Sequence, residues 1–231
     1  MLRTDSDDQM PTPPIALAQS DDSGVAVYRL LIGGSDPNAA DAFDIHVTAC
    51  IFALAFWESV SGQRSLADTT GLEPVDLGDL IDTIFPEAAY LFPSVPDRAP
   101  VRSADEECLL DLLTQCTSSG SPFEKRLARM LARRAQSPNH LWQDLGLRDR
   151  GELSRLMTDH FRALAARNTG DMKWKKFLYR MICRDVGYSI CTAPSCSECC
   201  DFEKCFGDES GESRLARVRL TGERADATIA A

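Results

Sequence analysis

A group of closely spaced cysteines near the carboxyl end is the part of this sequence best suited to chemistry. Six of the nine cysteines lie within residues 183–207, in the stretch CRDVGYSICTAPSCSECCDFEKCFG. Cys191, Cys196, Cys199 and Cys205 follow the spacing C-x4-C-x2-C-x5-C. A C-x2-C pair can direct two sulfurs to one centre, and the short links around it favour non-helical bends. The spacing therefore predicts a loop whose thiolates bind a metal centre.

A metal would make this concentration of thiolates favourable. Thiolates held close together repel one another unless a cation or a cluster core neutralises them. Cys200 adjoins Cys199, and because adjacent side chains point in different directions we expect Cys199 to be the ligand of the two. For Cys183, a ligand and a packed thiol are equally good interpretations. Capping or packing is the favoured role of His140 and His160, because neither forms a close ligand pair with another histidine or cysteine.

The spacing also bears on which metal would bind. Structural zinc sites commonly join two C-x2-4-C pairs across a longer loop, whereas this stretch has one C-x2-C pair flanked by wider gaps. Wider gaps suit an iron-sulfur-type cluster, whose metal atoms are spread over several corners. Two alternatives stay open: a helical interaction module with a structural zinc site of four cysteines, and a simple iron-sulfur electron-transfer protein. The stretch lacks the repeated C-x2-C-x2-C of bacterial ferredoxins.

Composition excludes several classes of function. The net charge of -10 and the sequence pI near 4.8 oppose nucleic-acid binding, which needs a basic face. The longest apolar run, residues 50–57, is shorter than a membrane-spanning helix requires, and the first residues lack a secretory signal, so we expect a cytoplasmic protein without a membrane partner. In a reducing cytosol, cysteines favour metal binding over disulfides. No carboxylate pair beside a base or nucleophile suggests catalysis, so we expect no enzyme.

The remaining sequence predicts a mainly α protein: a single helical domain of six or seven helices, followed by the cysteine-rich loop. The predicted divisions are a disordered N-terminal segment at 1–25, the helical domain at 40–187, the cysteine-rich metal-cluster loop at 183–207 and a mobile tail at 208–231. The first segment mixes Asp, Ser, Pro and Gln without periodicity, so it cannot bury enough apolar surface to order itself.

Helical periodicity predicts the elements of this domain. Residues 41–62 are apolar nearly all round, which is typical of a buried helix, and a stripe over 77–85 stops at Pro86. The proline-rich residues 86–103 are predicted to be an extended connector. One continuous helix is predicted to carry the stripe from Leu153 to Leu164.

Two Ser-x-x-Glu patterns predict helix starts. Ser103 begins a helix on which Cys108 and Cys116 share the apolar face, so both are predicted to be core residues. Ser121 begins an arginine-rich helix, for which a solvated face is favoured over an anion site. A final helix over 171–187 places its apolar residues on one face; they are Trp174, Phe177, Leu178 and Met181.

The C-terminal half resembles the NifQ family of nitrogen-fixation proteins. The resemblance is carried by HLWQDLGL at 140–147, HFRALAARN at 160–168, DMKWKKFLYRMIC at 171–183 and CTAPSCSECCDFEKCFG at 191–207. It covers roughly residues 120–210. The family's C-x4-C-x2-C-x5-C motif corresponds to the four cysteines named above, with Cys200 as an alternative ligand.

The resemblance implies a molybdenum carrier. It implies that Cys191, Cys196, Cys199 and Cys205 hold an iron-sulfur cluster containing molybdenum (Mo-Fe-S). The molybdenum would pass from a molybdenum source to the proteins that assemble the iron-molybdenum cofactor, namely a scaffold and the nitrogenase iron protein. Soft thiolate and sulfide ligands suit both metals, and a replaceable ligand on molybdenum would permit its release. We also hypothesise that basic residues, Lys175 and Lys176 among them, offset the cluster's charge or attract molybdate.

Overall fold

The computed structural model describes residues 23–62, 64–92, 98–185 and Glu209. Within these residues the chain forms ten α-helices and one 3₁₀-helix, and no strand, which confirms the predicted mainly α class. The helices are α1 Ser23–Gly33, α2 Ala42–Gly62, α3 Leu66–Thr70, α4 Pro74–Ile84, the 3₁₀-helix Pro86–Leu91, α5 Ala104–Gln115, α6 Pro122–Ala135, α7 Leu141–Asp144, α8 Arg150–His160, α9 Arg162–Arg167 and α10 Trp174–Asp185.

Helix α2 is the centre of the core. Its residues 47–55 are all buried, and it packs against α1 and α3. The stretch Ala42–Ser61 is longer than the apolar run 50–57 singled out in the sequence. By length and composition alone it could cross a membrane. More than half of that stretch is buried against other parts of the protein, as in the core helix of a globular domain.

Helices α5 and α6 pack together and begin where their caps predict. The Ser103 hydroxyl accepts a hydrogen bond from the Glu106 amide, and the Ser121 hydroxyl accepts one from the Glu124 amide, each at 3.2 Å. Such bonds satisfy amides that have no partner within the helix. The Glu124 carboxylate also accepts from the amides of Ser119 and Gly120, which fixes the turn before α6.

Several predicted details were wrong. The connector after Pro86 is not extended throughout, because Pro86–Leu91 form a 3₁₀-helix that buries Ala88 and Leu91. The helix predicted to continue to Leu164 is divided at Phe161, which leaves helical geometry at φ −134° and ψ 50°. Cys108 is exposed and Cys116 is partly buried, so the prediction of two core cysteines fails for Cys108.

The domain's first described helix was not predicted. Helix α1 precedes residue 40 and includes residues 23–25, which the sequence assigned to a disordered segment. Residues 1–22, where the rest of that prediction falls, lie outside the described residues.

Helix α10 matters most for the candidate site because residue 186 follows it directly. Its predicted apolar face is confirmed, since Trp174, Phe177, Leu178 and Met181 are all buried. The Trp174 indole donates a hydrogen bond to the Ser154 hydroxyl at 3.1 Å and meets Phe177 edge to face. These contacts fix the start of α10 against α8.

Candidate metal centre and its attachment to the helical domain

The predicted ligands Cys191, Cys196, Cys199 and Cys205 lie outside the described residues, as do Cys200 and the side chain of Cys183. Within residues 23–62, 64–92 and 98–185 and at Glu209, no three His, Cys, Asp or Glu residues form a group suited to holding a metal ion. The described residues therefore inform the candidate centre through its two flanks, which are α10 and Glu209.

On the amino-terminal flank, Lys175 joins α10 to the segment before it. Its Nζ lies 2.5 Å from Asp144 Oδ2 and from the carbonyl oxygens of Ser137 and Asn139. The Asp144 side chain is fully buried, at 0% exposure. A buried carboxylate needs such a partner because it has lost its hydration. The Lys175 ammonium is thus neutralised within the domain, which corrects the hypothesis that this lysine attracts molybdate.

On the carboxyl-terminal flank, Glu209 is held by two basic side chains. Glu209 Oε1 lies 3.1 Å from His140 Nδ1, and Glu209 Oε2 lies 3.2 Å from Arg150 Nε. The Glu209 side chain is only 5% exposed. Arg150 also donates to the Asp171 carboxylate at 2.9 Å and to the Met172 carbonyl at 3.1 Å. The chain that follows Cys205 therefore contacts the helical domain at Glu209.

The arginines of α6 are neither a solvated face nor an anion site. Each pairs with an acidic residue of another helix: Arg126 with Asp76 and Asp79, Arg129 with Asp76, Arg133 with Glu106, and Arg134 with Glu58. Burial raises the pKa of the Glu106 carboxyl, although the Arg133 charge opposes that rise. The arginines of α6 thus join helices through ion pairs. The sequence pattern does not predict their partners, because these partners belong to other helices.

A further, partly buried ionic group, the His160 cluster, consists of His160, Asp44 and Glu124. His160 Nε2 lies 2.8 Å from Asp44 Oδ1, and His160 Nδ1 lies 3.6 Å from Glu124 Oε1. Burial alone would lower the pKa of His160, but the hydrogen bond to Asp44 and the nearby carboxylates outweigh burial and raise it. Burial likewise acts to raise the pKa of Glu124, yet hydrogen bonds from Ser119 and Gly120 and the His160 charge lower it overall.

An open cavity of about 330 Å³ adjoins this cluster, with Arg126 also in its lining. Arg126 is already bound by Asp76 and Asp79, and His160 by two carboxylates. Arg126 and His160 are thus each paired with carboxylates of the protein. These ion pairs explain why both side chains lie beside the cavity.

Cys50, His46 and Glu152 have the residue types of an activated cysteine but not its environment. Cys50 Sγ lies 3.8 Å from the His46 ring nitrogens, and His46 Nε2 lies 3.3 Å from Glu152 Oε2. However, Cys50 is 2% exposed, and burial raises the pKa of its thiol. A reactive cysteine requires an accessible thiolate, so Cys50 is a packed, protonated thiol.

The pair His140–Glu209 was missed by sequence reasoning, because no local pattern links residues so far apart. His140 was assigned a capping or packing role, and it does stand at the N-cap position of α7, where its amide donates to Gln143 Oε1 at 3.3 Å. The structure adds the contact with Glu209.

Comparison with known proteins identifies relatives over most of the chain. The profile of the NifQ family matches residues 47–207, a range that includes the four motif cysteines. A NifQ homolog of Sinorhizobium fredii strain NGR234 is 41% identical over 184 residues, covering 78% of this chain and 79% of its own length. NifQ of Rhodobacter capsulatus is 35% identical over 69% of this chain and 87% of its own. NifQ of Azotobacter vinelandii is 35% identical over 60% and 77%, respectively. No solved structure matches significantly.

Proposed function

The chain belongs to the NifQ family, whose members are associated with nitrogen fixation, and from this premise we propose that it is a molybdenum carrier. It would hold molybdenum in a Mo-Fe-S cluster bound by Cys191, Cys196, Cys199 and Cys205. It would then donate the molybdenum to the assembly of the nitrogenase iron-molybdenum cofactor. The observation that carries the proposal is the family match over 47–207, which spans both the helical domain and the C-x4-C-x2-C-x5-C motif.

The donor set suits this cargo. Thiolates are soft ligands that favour iron-sulfur clusters, and the wide gaps on either side of the C-x2-C pair allow sulfurs to approach different corners of a cluster. A carrier must also release its metal. A molybdenum corner with a replaceable ligand would permit ligand exchange, whereas a corner closed by strong thiolates would release the metal slowly.

Partners follow from the same proposal. The chain would receive molybdenum from a source in the cytoplasm and dock on a scaffold protein and on the nitrogenase iron protein. It would act as a carrier rather than an enzyme, since the cargo passes from one protein to another without conversion of a substrate.

The helical domain would provide the platform for this cargo. The start of α10 is fixed by the ion pair of Lys175 with the buried Asp144 and by the packing of Trp174 against α8. These contacts fix the first turn of the helix that leads into the cysteine-rich segment.

Metal analysis of the full chain tests the proposal. The protein is purified without oxygen from cells supplied with molybdate, and its molybdenum, iron and zinc contents are measured together with its electron paramagnetic resonance spectrum. Iron together with molybdenum is the expected result. Zinc in a colourless protein would instead identify a structural zinc site, and iron without molybdenum would identify an ordinary iron-sulfur protein.

A further inference from the structure

Both flanks of the cysteine-rich segment contact the same part of the helical domain. We call this part the α7 hub and define it as residues 137–144, which include α7. Lys175, in the first turn of α10, contacts the Asp144 carboxylate and two carbonyl groups of the hub. Glu209, which follows the segment, contacts His140 of the hub. A short element of the domain is thus shared by the chain before and the chain after the candidate ligands.

The Glu209 contact has the features of a specific attachment. Its side chain is only 5% exposed, although a glutamate normally remains hydrated. Glu209 Oε1 faces His140, and Glu209 Oε2 faces Arg150 Nε in an ion pair that lacks hydrogen-bond geometry. Arg150 also donates hydrogen bonds to Asp171 and to the Met172 carbonyl. A buried carboxylate that lost these partners would keep its desolvation cost without compensation, so the attached position depends on both partners.

From this geometry we propose that Glu209 is a positioning residue that anchors the carboxyl-terminal flank of the cysteine-rich segment to His140 and Arg150. Its role in metal retention rests on the function proposed above, whereas the anchoring itself does not. The anchor would fix the position of Glu209, four residues after the predicted ligand Cys205, before any metal binds.

Anchoring affects metal binding through chain entropy. A segment attached at one end samples many more arrangements than a segment attached at both, and ligands that are already confined lose less freedom when they bind. Removing the anchor should therefore weaken cluster retention although every cysteine ligand remains. The expected loss is intermediate, because thiolate ligation itself is unchanged.

The test uses the variant Glu209→Gln, which keeps the size of the side chain and removes its charge. Asp159→Asn is the matched control, because the Asp159 carboxylate also pairs with an arginine, Arg155, but both side chains are about half exposed and neither belongs to the proposed anchor. The first measurement is hydrogen exchange of the metal-free full chain. In the peptide that contains Glu209, Glu209→Gln should exchange about 5- to 30-fold faster than wild type, and Asp159→Asn should remain within about two-fold of wild type.

The second measurement is the rate at which anaerobically purified protein loses iron to a chelator. Glu209→Gln should lose iron about 5- to 30-fold faster than wild type or Asp159→Asn, with the unfolding temperature of the helical domain unchanged. Arg150→Gln added to Glu209→Gln should accelerate exchange of the Glu209 peptide little further, because both changes remove the same contact.

The two measurements separate the two claims. Wild-type exchange rates in the metal-free Glu209→Gln variant would overturn the anchor, whatever metal the protein binds. Faster exchange with an unchanged rate of iron loss would overturn the role of the anchor in metal retention. A wild-type protein without iron or molybdenum would overturn the proposed function, while the exchange data would still establish or refute the anchor.

Discussion

The His160 cluster and the α7 hub use the same chemistry for different purposes. In the His160 cluster, a histidine at the end of α8 meets carboxylates from the first turns of α2 and α6. In the α7 hub, Asp144 holds Lys175 and His140 contacts Glu209. The first group joins helices of one core. The second joins that core to both flanks of the cysteine-rich segment.

The difference teaches that buried charge in this protein is not itself a sign of a metal or anion site. The arginines of α6 and His160 form ion pairs with carboxylates of other helices, and these pairs hold the helices together. The hub is distinguished by what it holds, namely the chain on either side of the candidate ligands. Changes in the His160 cluster should therefore affect the fold alone, and changes around the hub should also affect metal retention.

The largest effect should come from the ligands themselves. Cys196→Ala or Cys199→Ala should abolish retention of iron and molybdenum, because the C-x2-C pair supplies two sulfurs to one centre. Helical content by circular dichroism should stay unchanged. Cys108→Ala is the control, since Cys108 is an exposed thiol outside the segment and should keep wild-type metal content. Full metal content in either motif variant would remove that cysteine from the ligand set.

The hub should be the next most sensitive region. Asp144→Ala leaves the Lys175 ammonium without its buried carboxylate, which should lower the free energy of unfolding by about 3–5 kcal/mol. Urea denaturation followed by circular dichroism measures this loss. Asp159→Ala removes the exposed ion pair with Arg155 and should cost less than about 1 kcal/mol. Equal losses in the two variants would contradict the structural importance of the hub.

The His160 cluster should give a smaller, pH-dependent effect. Because the pKa of His160 is raised above its ordinary 6.5, the stability it contributes is complete below that value and is lost as pH rises through the folded pKa. His160→Gln should lower the free energy of unfolding by about 1.5–3 kcal/mol at about pH 5.5, and by less at about pH 9.

Glu124 has the opposite pH dependence, because its contribution to the free energy of unfolding is lost at acid pH. Its pKa is lowered from 4.5, so its contribution is present above 4.5 and is lost as pH falls through the folded pKa. The His160→Gln comparison should therefore be made above that range, by urea denaturation at each pH. A difference from wild type that grows with rising pH would refute the positive charge assigned to His160. A loss of metal content in His160→Gln would refute the claim that the His160 cluster affects the fold alone.

The smallest effect should come from Lys176, which is exposed and follows the partly buried Lys175. Lys176→Glu should change the free energy of unfolding by no more than about 0.5 kcal/mol. If exposed positive charge attracts molybdate, the variant should load molybdenum somewhat more slowly at low salt, and added salt should remove the difference. A difference from wild type that persists at high salt would exclude simple electrostatic attraction.

The sequence predicts the fold where local signals are strong. The caps at Ser103 and Ser121 and the apolar stripe of α10 locate three helices because each signal lies within the helix it defines. The break at Phe161 has no glycine or proline to announce it. There the carbonyl of His160 accepts a hydrogen bond from the Ser118 amide at 2.8 Å, a contact that only the folded chain provides.

The candidate site divides in the same way. The cysteine spacing is a local signal that predicts a metal-binding segment without knowledge of the fold. The partners of Lys175 and Glu209 are set by packing, and a basic run such as KWKK does not reveal that one of its lysines pairs with the buried Asp144. Tertiary contacts therefore decide which charges remain available to a ligand.

The most direct test of the account is cofactor maturation in cells whose nitrogenase depends on this chain. Wild-type protein should restore molybdenum-dependent nitrogenase activity. A variant with Cys191, Cys196, Cys199 and Cys205 all changed to alanine should accumulate as a folded helical protein and restore none. Restoration of activity by that quadruple variant would contradict the claim that these thiolates carry the molybdenum.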